Sequence, residues 1–262
     1  MENRFEVVRA TFGSIGEDIS EFAKAAQTFV SGYHVTVIKR KMGVSGKYVL
    51  YPAARKEDVS KLMPLQKKAG HIINDLRHIL DQACHAASME IGTSSPDKTN
   101  FPMAQNDVGL EGQLASKTGG SSGVPEVLHA EIRSFAPFWR YQDGREGDIF
   151  LRRLSQICNE HKHRIPLGLS YAESDIELST NEYVSAQINP PNGRLQAGRT
   201  EIHVTPFGPL ARLDVQFIPK ITVINGGAFA ANHLPDVFEY LYQKVGEIID
   251  RLEAVARSSK KR

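Results

Sequence analysis

The alternation of apolar and polar positions divides the chain into four clear helical stretches and two that read as strand. Ile15, Ile19, Phe22, Ala26, Phe29 and Val30 recur at steps of four and three, which predicts one buried helical face over residues 14–31. Ser14 and Glu17 read as a capping box at its start, and Gly32 as its stop. The period then falls to two, and strands on either side of the glycine-bearing loop 42–46 predict a β-hairpin over 34–53. Pro64 suits the first turn of the longest predicted helix, 64–91, which places Ile72, Ile73, Leu76, Ile79, Leu80, Ala83 and Ala87 on one side.

Residues 93–147 are loop-rich, punctuated by Ser, Gly, Pro and Asn, with one short helix expected around 127–135. A firmer helix over 148–164 lines up Phe150, Leu154, Ile157 and His161. Alternation returns over 174–227, with turn signals at 189–193 and 207–209, and reads as an antiparallel sheet. A last helix over 236–257 buries Phe238, Leu241, Val245, Ile248, Ile249 and Leu252, and the basic tail after it reads as frayed. Helices bracket two β segments without regular strand–helix alternation. The expected fold is one α+β domain over 1–262: a central long helix in a helical bundle, with an N-terminal β-hairpin and a C-terminal antiparallel sheet.

Composition narrows the function classes. A net charge of +2 from 32 basic and 30 acidic residues excludes a strongly cationic coat for nucleic acid and an acidic disordered chain. Two cysteines exclude a disulfide-dense scaffold and any four-cysteine zinc site. The first twelve residues interleave charges with single apolar positions, unlike a signal peptide, and no apolar run is long enough to span a membrane. A soluble, cytoplasmic protein is expected.

Candidate chemistry concentrates on two helices. His71, Asn74, His78, Asp81 and His85 step by three and four along the 64–91 helix, with Arg77 at the edge of the stripe. Lys and Glu normally fill such a surface stripe, whereas these residues are poorer helix formers that hydrogen-bond well. The bland reading is a polar seam bonded to a neighbouring helix or loop. The second feature is the run Asn159, Glu160, His161, Lys162, His163 and Arg164, which the helix macrodipole alone would explain. His161 is expected to be buried and His163 more exposed. The two project too far apart around a helix to share a metal ion, so no metal or cofactor is expected. The stretch 112–118 lacks the glycine before lysine of a phosphate loop, Cys84 and Cys158 read as buried thiols, and Phe135, Phe138, Trp139 and Tyr141 as a hydrophobic plug.

The hexapeptide from Leu76 to Asp81, followed by Phe101-Pro102-Met103 and the Asn159 to Arg164 run, resembles the LRxxLD, FPI and NxxKHR motifs of a group of bacterial and phage proteins of unknown function. The resemblance implies that Arg77, Asp81, Asn159, Lys162, His163 and Arg164 belong to one shared feature. A looser likeness is to HEPN-type helical proteins, many of them metal-independent ribonucleases of toxin and phage-defence systems. Their arginine and histidine are four to six residues apart, whereas seven separate Arg77 from His85 here.

The expected site is one pocket between the two helices. Arg77, His85 and His163 are its catalytic candidates, and Asp81, Asn159, Lys162 and Arg164 its ligand-binding or orienting ones. The corresponding function is a HEPN-like metal-independent ribonuclease or phosphate-ester-processing enzyme. The alternative is a non-catalytic module binding nucleic acid, a nucleotide or a protein. RNA or another phosphate-bearing ligand is the expected partner, with no membrane and with a homodimer allowed.

Overall fold

The structure, a computed structural model, describes residues 4–31, 36–42, 47–53, 59–163, 167–180, 184–189, 201–206, 213–223, 229 and 232–260, of which 36–42, 47–53, 59–61, 161–163, 170–180, 184–189, 201–206 and 213–220 are described by backbone alone. Among the described residues six α-helices run α1 (Arg4–Ser31), α2 (Val59–Ile91), α3 (Asp107–Ala115), α4 (His129–Ser134), α5 (Ile149–His163) and α6 (Leu234–Ser259). Six strands accompany them among the described residues: β1 (Thr36–Met42), β2 (Lys47–Ala53), β3 (Leu169–Thr180), β4 (Val184–Asn189), β5 (Glu201–Pro206) and β6 (Leu213–Val223).

The expected α+β architecture is corrected: the protein is mostly helical. Of the residues whose side chains are described, 72% are helical. Among those residues the strands put only Leu169, Ile221 and Val223 into the apolar core. Neither a separate N-terminal hairpin nor a self-contained C-terminal antiparallel sheet stands on its own. The antiparallel β1–β2 pair is continued by β5 and β4 in the order β1-β2-β5-β4, and β3 and β6 pair apart as a two-stranded ribbon. Period-two patterning identifies strands but not their partners, and a pairing across some 150 residues leaves no local signal.

The core lies between α1, α2 and α6. Helix α1 begins ten residues before the expected start, because Phe5 and Val8 extend the face of Ile15, Ile19 and Phe22. Ser14 is therefore interior, and its hydroxyl donates to the Thr11 carbonyl instead of capping. Two glycines bring α1 and α6 together. A Cβ on Gly16 would stand 2.7 Å from Tyr242 Oη, and one on Gly246 would stand 3.2 Å from the Phe12 ring. Phe12 and Tyr242 stack there at 4.1 Å between centroids. Helix α2 starts one turn ahead of Pro64, which it contains, and its Ile72, Ile73, Leu76, Ile79, Leu80 and Ala83 are buried as the pattern predicts. Asp148 caps α5, its Oδ1 accepting from Leu151 N at 2.9 Å. Helix α6 runs on through Ser259, beyond the expected fraying point. Among the described residues no helix is long and apolar enough to cross a membrane.

Candidate functional site

The polar side of α2 is covered by a strap, residues 96–103, that leaves the helix end and returns across it. Arg77 and Asp81, one turn apart, hold the strap at a single residue. Arg77 Nη2 donates to the Phe101 carbonyl at 3.0 Å, and Phe101 N donates to Asp81 Oδ1 at 2.9 Å. Both backbone groups of Phe101 are thus satisfied by side chains, which allows its ring to be buried to 1% exposure without stranding its peptide. Arg77 Nη1 also lies 2.8 Å from Asp81 Oδ1 as an ion pair, in a geometry that leaves Nη1 itself without a hydrogen bond. Burial pushes the Asp81 pKa upward, against the opposing pull of Arg77, the Phe101 N–H and His78.

One turn further, His85 secures the start of the strap. Its Nδ1 lies 2.9 Å from Thr99 Oγ1 and 3.1 Å from the Pro96 carbonyl, while Thr99 Oγ1 donates to that carbonyl at 3.0 Å. A carbonyl only accepts, and the threonine proton is already committed to it. This geometry favours the Nδ1–H form of neutral His85, with Nε2 an acceptor that has no partner among the described residues.

The strap, α1 and α2 together enclose a groove of about 530 Å³. Val7, Val8 and Ala86 form its apolar wall, and His78, Asp81, Gln82, His85 and Asn100 its polar one, with Arg4 at the α1 end. His78 is exposed, and among the described residues it makes no hydrogen bond. Behind the strap lies a second cavity of about 400 Å³, lined by Arg77, Asn100, Gln113, Ser116, Ser121, Ser155 and four glycines.

No protein-family model, curated protein or solved structure matches this chain. The site is therefore read from its own chemistry.

Asp81 and His85 line the groove, whereas Arg77 lines the cavity behind the strap. Arg77 and His85 thus face different compartments, although one helical side carries both. Asn159 is exposed on α5. The side chains of His161, Lys162 and His163, and Arg164 altogether, lie outside the described residues, so the expected meeting of Asp81 with Arg164 and the contrast between His161 and His163 lie there too. The α5 end does approach the stripe, since Cys158 Sγ donates to Asn74 Oδ1 at 3.1 Å. Both cysteines are buried, and burial pushes the Cys84 thiol up to about 12. Phe135 and Phe138 are buried as expected of a plug. Among the described residues no group of His, Cys, Asp or Glu could hold a metal ion.

Sequence reasoning missed Phe101, Thr99 and Pro96 as partners of the stripe. The available signal was the Asn100-Phe101-Pro102 stretch, where one aromatic residue stands in a polar, turn-rich segment that otherwise has no reason to bury it.

Proposed function

We propose that this protein is a binding module for a phosphate-bearing ligand, RNA or a nucleotide, taken into the groove between α1 and α2. The observation that carries this reading is the pairing of an apolar wall, Val7, Val8 and Ala86, with hydrogen-bonding groups at His78, Gln82, His85 and Asn100. A base or sugar face suits the first and its polar edges the second. Arg4 supplies positive charge for a phosphate, and the two histidines supply further polar contacts.

The anchored tautomer of His85 favours a second reading, a metal-independent ribonuclease. Nε2 would take the proton of a ribose 2′-hydroxyl, whose oxygen would attack the adjacent phosphorus to form a 2′,3′-cyclic phosphate and expel the 5′-oxygen, which takes a proton from water. The HEPN-like form of this idea needs Arg77 beside the phosphate, and Arg77 lines the other cavity. Binding is therefore the stronger reading.

A labelled single-stranded RNA, followed by anisotropy and by gel with and without chelator, tests both. Binding that weakens in His78→Ala and Gln82→Ala without strand scission supports the module. Scission that persists in chelator and vanishes in His85→Ala assigns the ribonuclease. Absence of binding and scission together refutes both.

A further inference from the structure

The cavity behind the strap is separated from the groove by the strap itself. Four of its lining residues are glycines, Gly109 and Gly112 one turn apart on α3 and Gly119 and Gly120 in the following loop. Glycine inside a nine-residue helix is disfavoured against alanine, so two of them on one side call for a reason. At Gly112 that reason is not packing, because a Cβ there would meet nothing within 4 Å. At Gly109 and Gly120 the backbone is instead closely approached, by Asn106 Oδ1 at 3.1 Å and Asn100 Nδ2 at 3.0 Å from the Cβ position.

The polar groups around this space are donors in excess. Ser155, on α5, lines the cavity at 9% exposure and has no hydrogen-bond partner among the described residues. Arg77 also lines it, and its buried Nη1 makes no hydrogen bond but lies 2.8 Å from Asp81 Oδ1 as an ion pair. The backbone N–H groups of Gly120 and Ser121 have no acceptor among the described residues. No carboxylate lines the cavity, and Asp81 belongs to the groove on the other side of the strap. One turn before Ser155, Arg152 also has a buried Nε without a partner, and burial together with Arg153 holds its pKa down. A hydroxyl and two backbone N–H groups without partners among the described residues, beside a guanidinium, are well matched to an oxyanion.

We propose that the cavity between α3, α5 and the strap is a second binding site, for a small oxyanion of the phosphate class, held by Arg77, Ser155 and the backbone of the glycine loop. Its source is either free inorganic phosphate or a phosphate monoester, whose organic part the volume would admit. Of its lining residues the site shares Asn100 alone with the groove, and the Arg77–Asp81 pair joins the two across the strap.

Amide resonances of the whole protein, titrated with inorganic phosphate at constant ionic strength, test this directly. Saturable shifts are expected at Gly120, Ser121 and Ser155 and not along the Val7–Thr11 face of α1. Ser155→Ala should weaken binding on the order of tenfold, as loss of a hydrogen bond to a charged group does. Gly112→Leu, which suits a helix and fills open space, should abolish it while leaving the groove's response to RNA intact. A parallel titration with a ribonucleoside 5′-monophosphate separates the sources: tighter binding assigns an ester, equal binding the free ion. Absence of saturable shifts in the native protein overturns the proposal, as does equal binding by both variants. Loss of RNA binding with phosphate binding retained would count against the groove alone.

Discussion

Removing the Asp81 carboxylate tests whether the α2 stripe is held by the strap. In Asp81→Ala the Phe101 N–H loses its acceptor, which costs about 1–3 kcal/mol for a shielded donor. Arg77 loses its ion pair but keeps the Phe101 carbonyl. Stranding one member of a fully buried pair costs about 3–5 kcal/mol, yet these side chains are 15% and 27% exposed, and burial already opposes ionisation of Asp81. The sum is therefore well below the simple total, and a loss of about 2–3 kcal/mol is expected. Asp81→Asn keeps an acceptor of the same shape and should lose less than half as much. Urea denaturation at pH 7 measures both, and hydrogen exchange at the Phe101 amide localises the effect. Stability of Asp81→Ala within about 0.5 kcal/mol of the native protein, the ordinary range for a surface change, with Phe101 protection unaltered, would refute the clamp.

Further outcomes follow from the same geometry. Phe101→Ala should lose about 3–5 kcal/mol, because a fully buried ring leaves a cavity under the strap; a loss under about 1 kcal/mol would mean the strap does not pack as described. The raised pKa of Asp81 means that the native state holds this proton more tightly than the unfolded chain does. The native protein should therefore lose stability relative to Asp81→Asn as pH rises from below about 4 through that raised value, and a difference moving the other way in paired melts would show that Arg77 outweighs burial. Cys84, with its thiol near 12 and its side chain buried, should resist a disulfide reagent at pH 8 until the protein is unfolded; prompt native labelling would contradict this.

Much of the helical core was legible because it is periodic. The apolar faces of α2 and α6 can be counted off the sequence, and within the α2 stripe Asn74, Arg77, Asp81 and His85 find partners while His71 and His78 are exposed. The first turns of α1 escaped notice because Phe5 and Val8 are isolated among charged residues, and a serine that back-bonds to Thr11 looks like a cap when read locally. The partners of the stripe were harder still. Arg77 and Asp81 bond to the main chain of Phe101, and backbone groups are the same at every position, so no residue type announces the contact. The division of Arg77 and His85 between two compartments depends on where the strap crosses α2, a tertiary fact that helical spacing does not carry. The β segments failed for the related reason that strand patterning says nothing of which distant strand completes a sheet.

The central claim is that the groove beneath the strap, walled by His78 and His85, is where this protein meets its ligand. Imidazole nitrogen resonances recorded while a short single-stranded RNA is titrated into the native protein test it most directly. The account predicts that neutral His85 shows the Nδ1–H form before addition, and that His78 and His85 shift together and saturate while His71 and His129 stay in place. Unchanged His78 and His85 signals at RNA concentrations that shift other residues, or a neutral His85 protonated on Nε2, would contradict it.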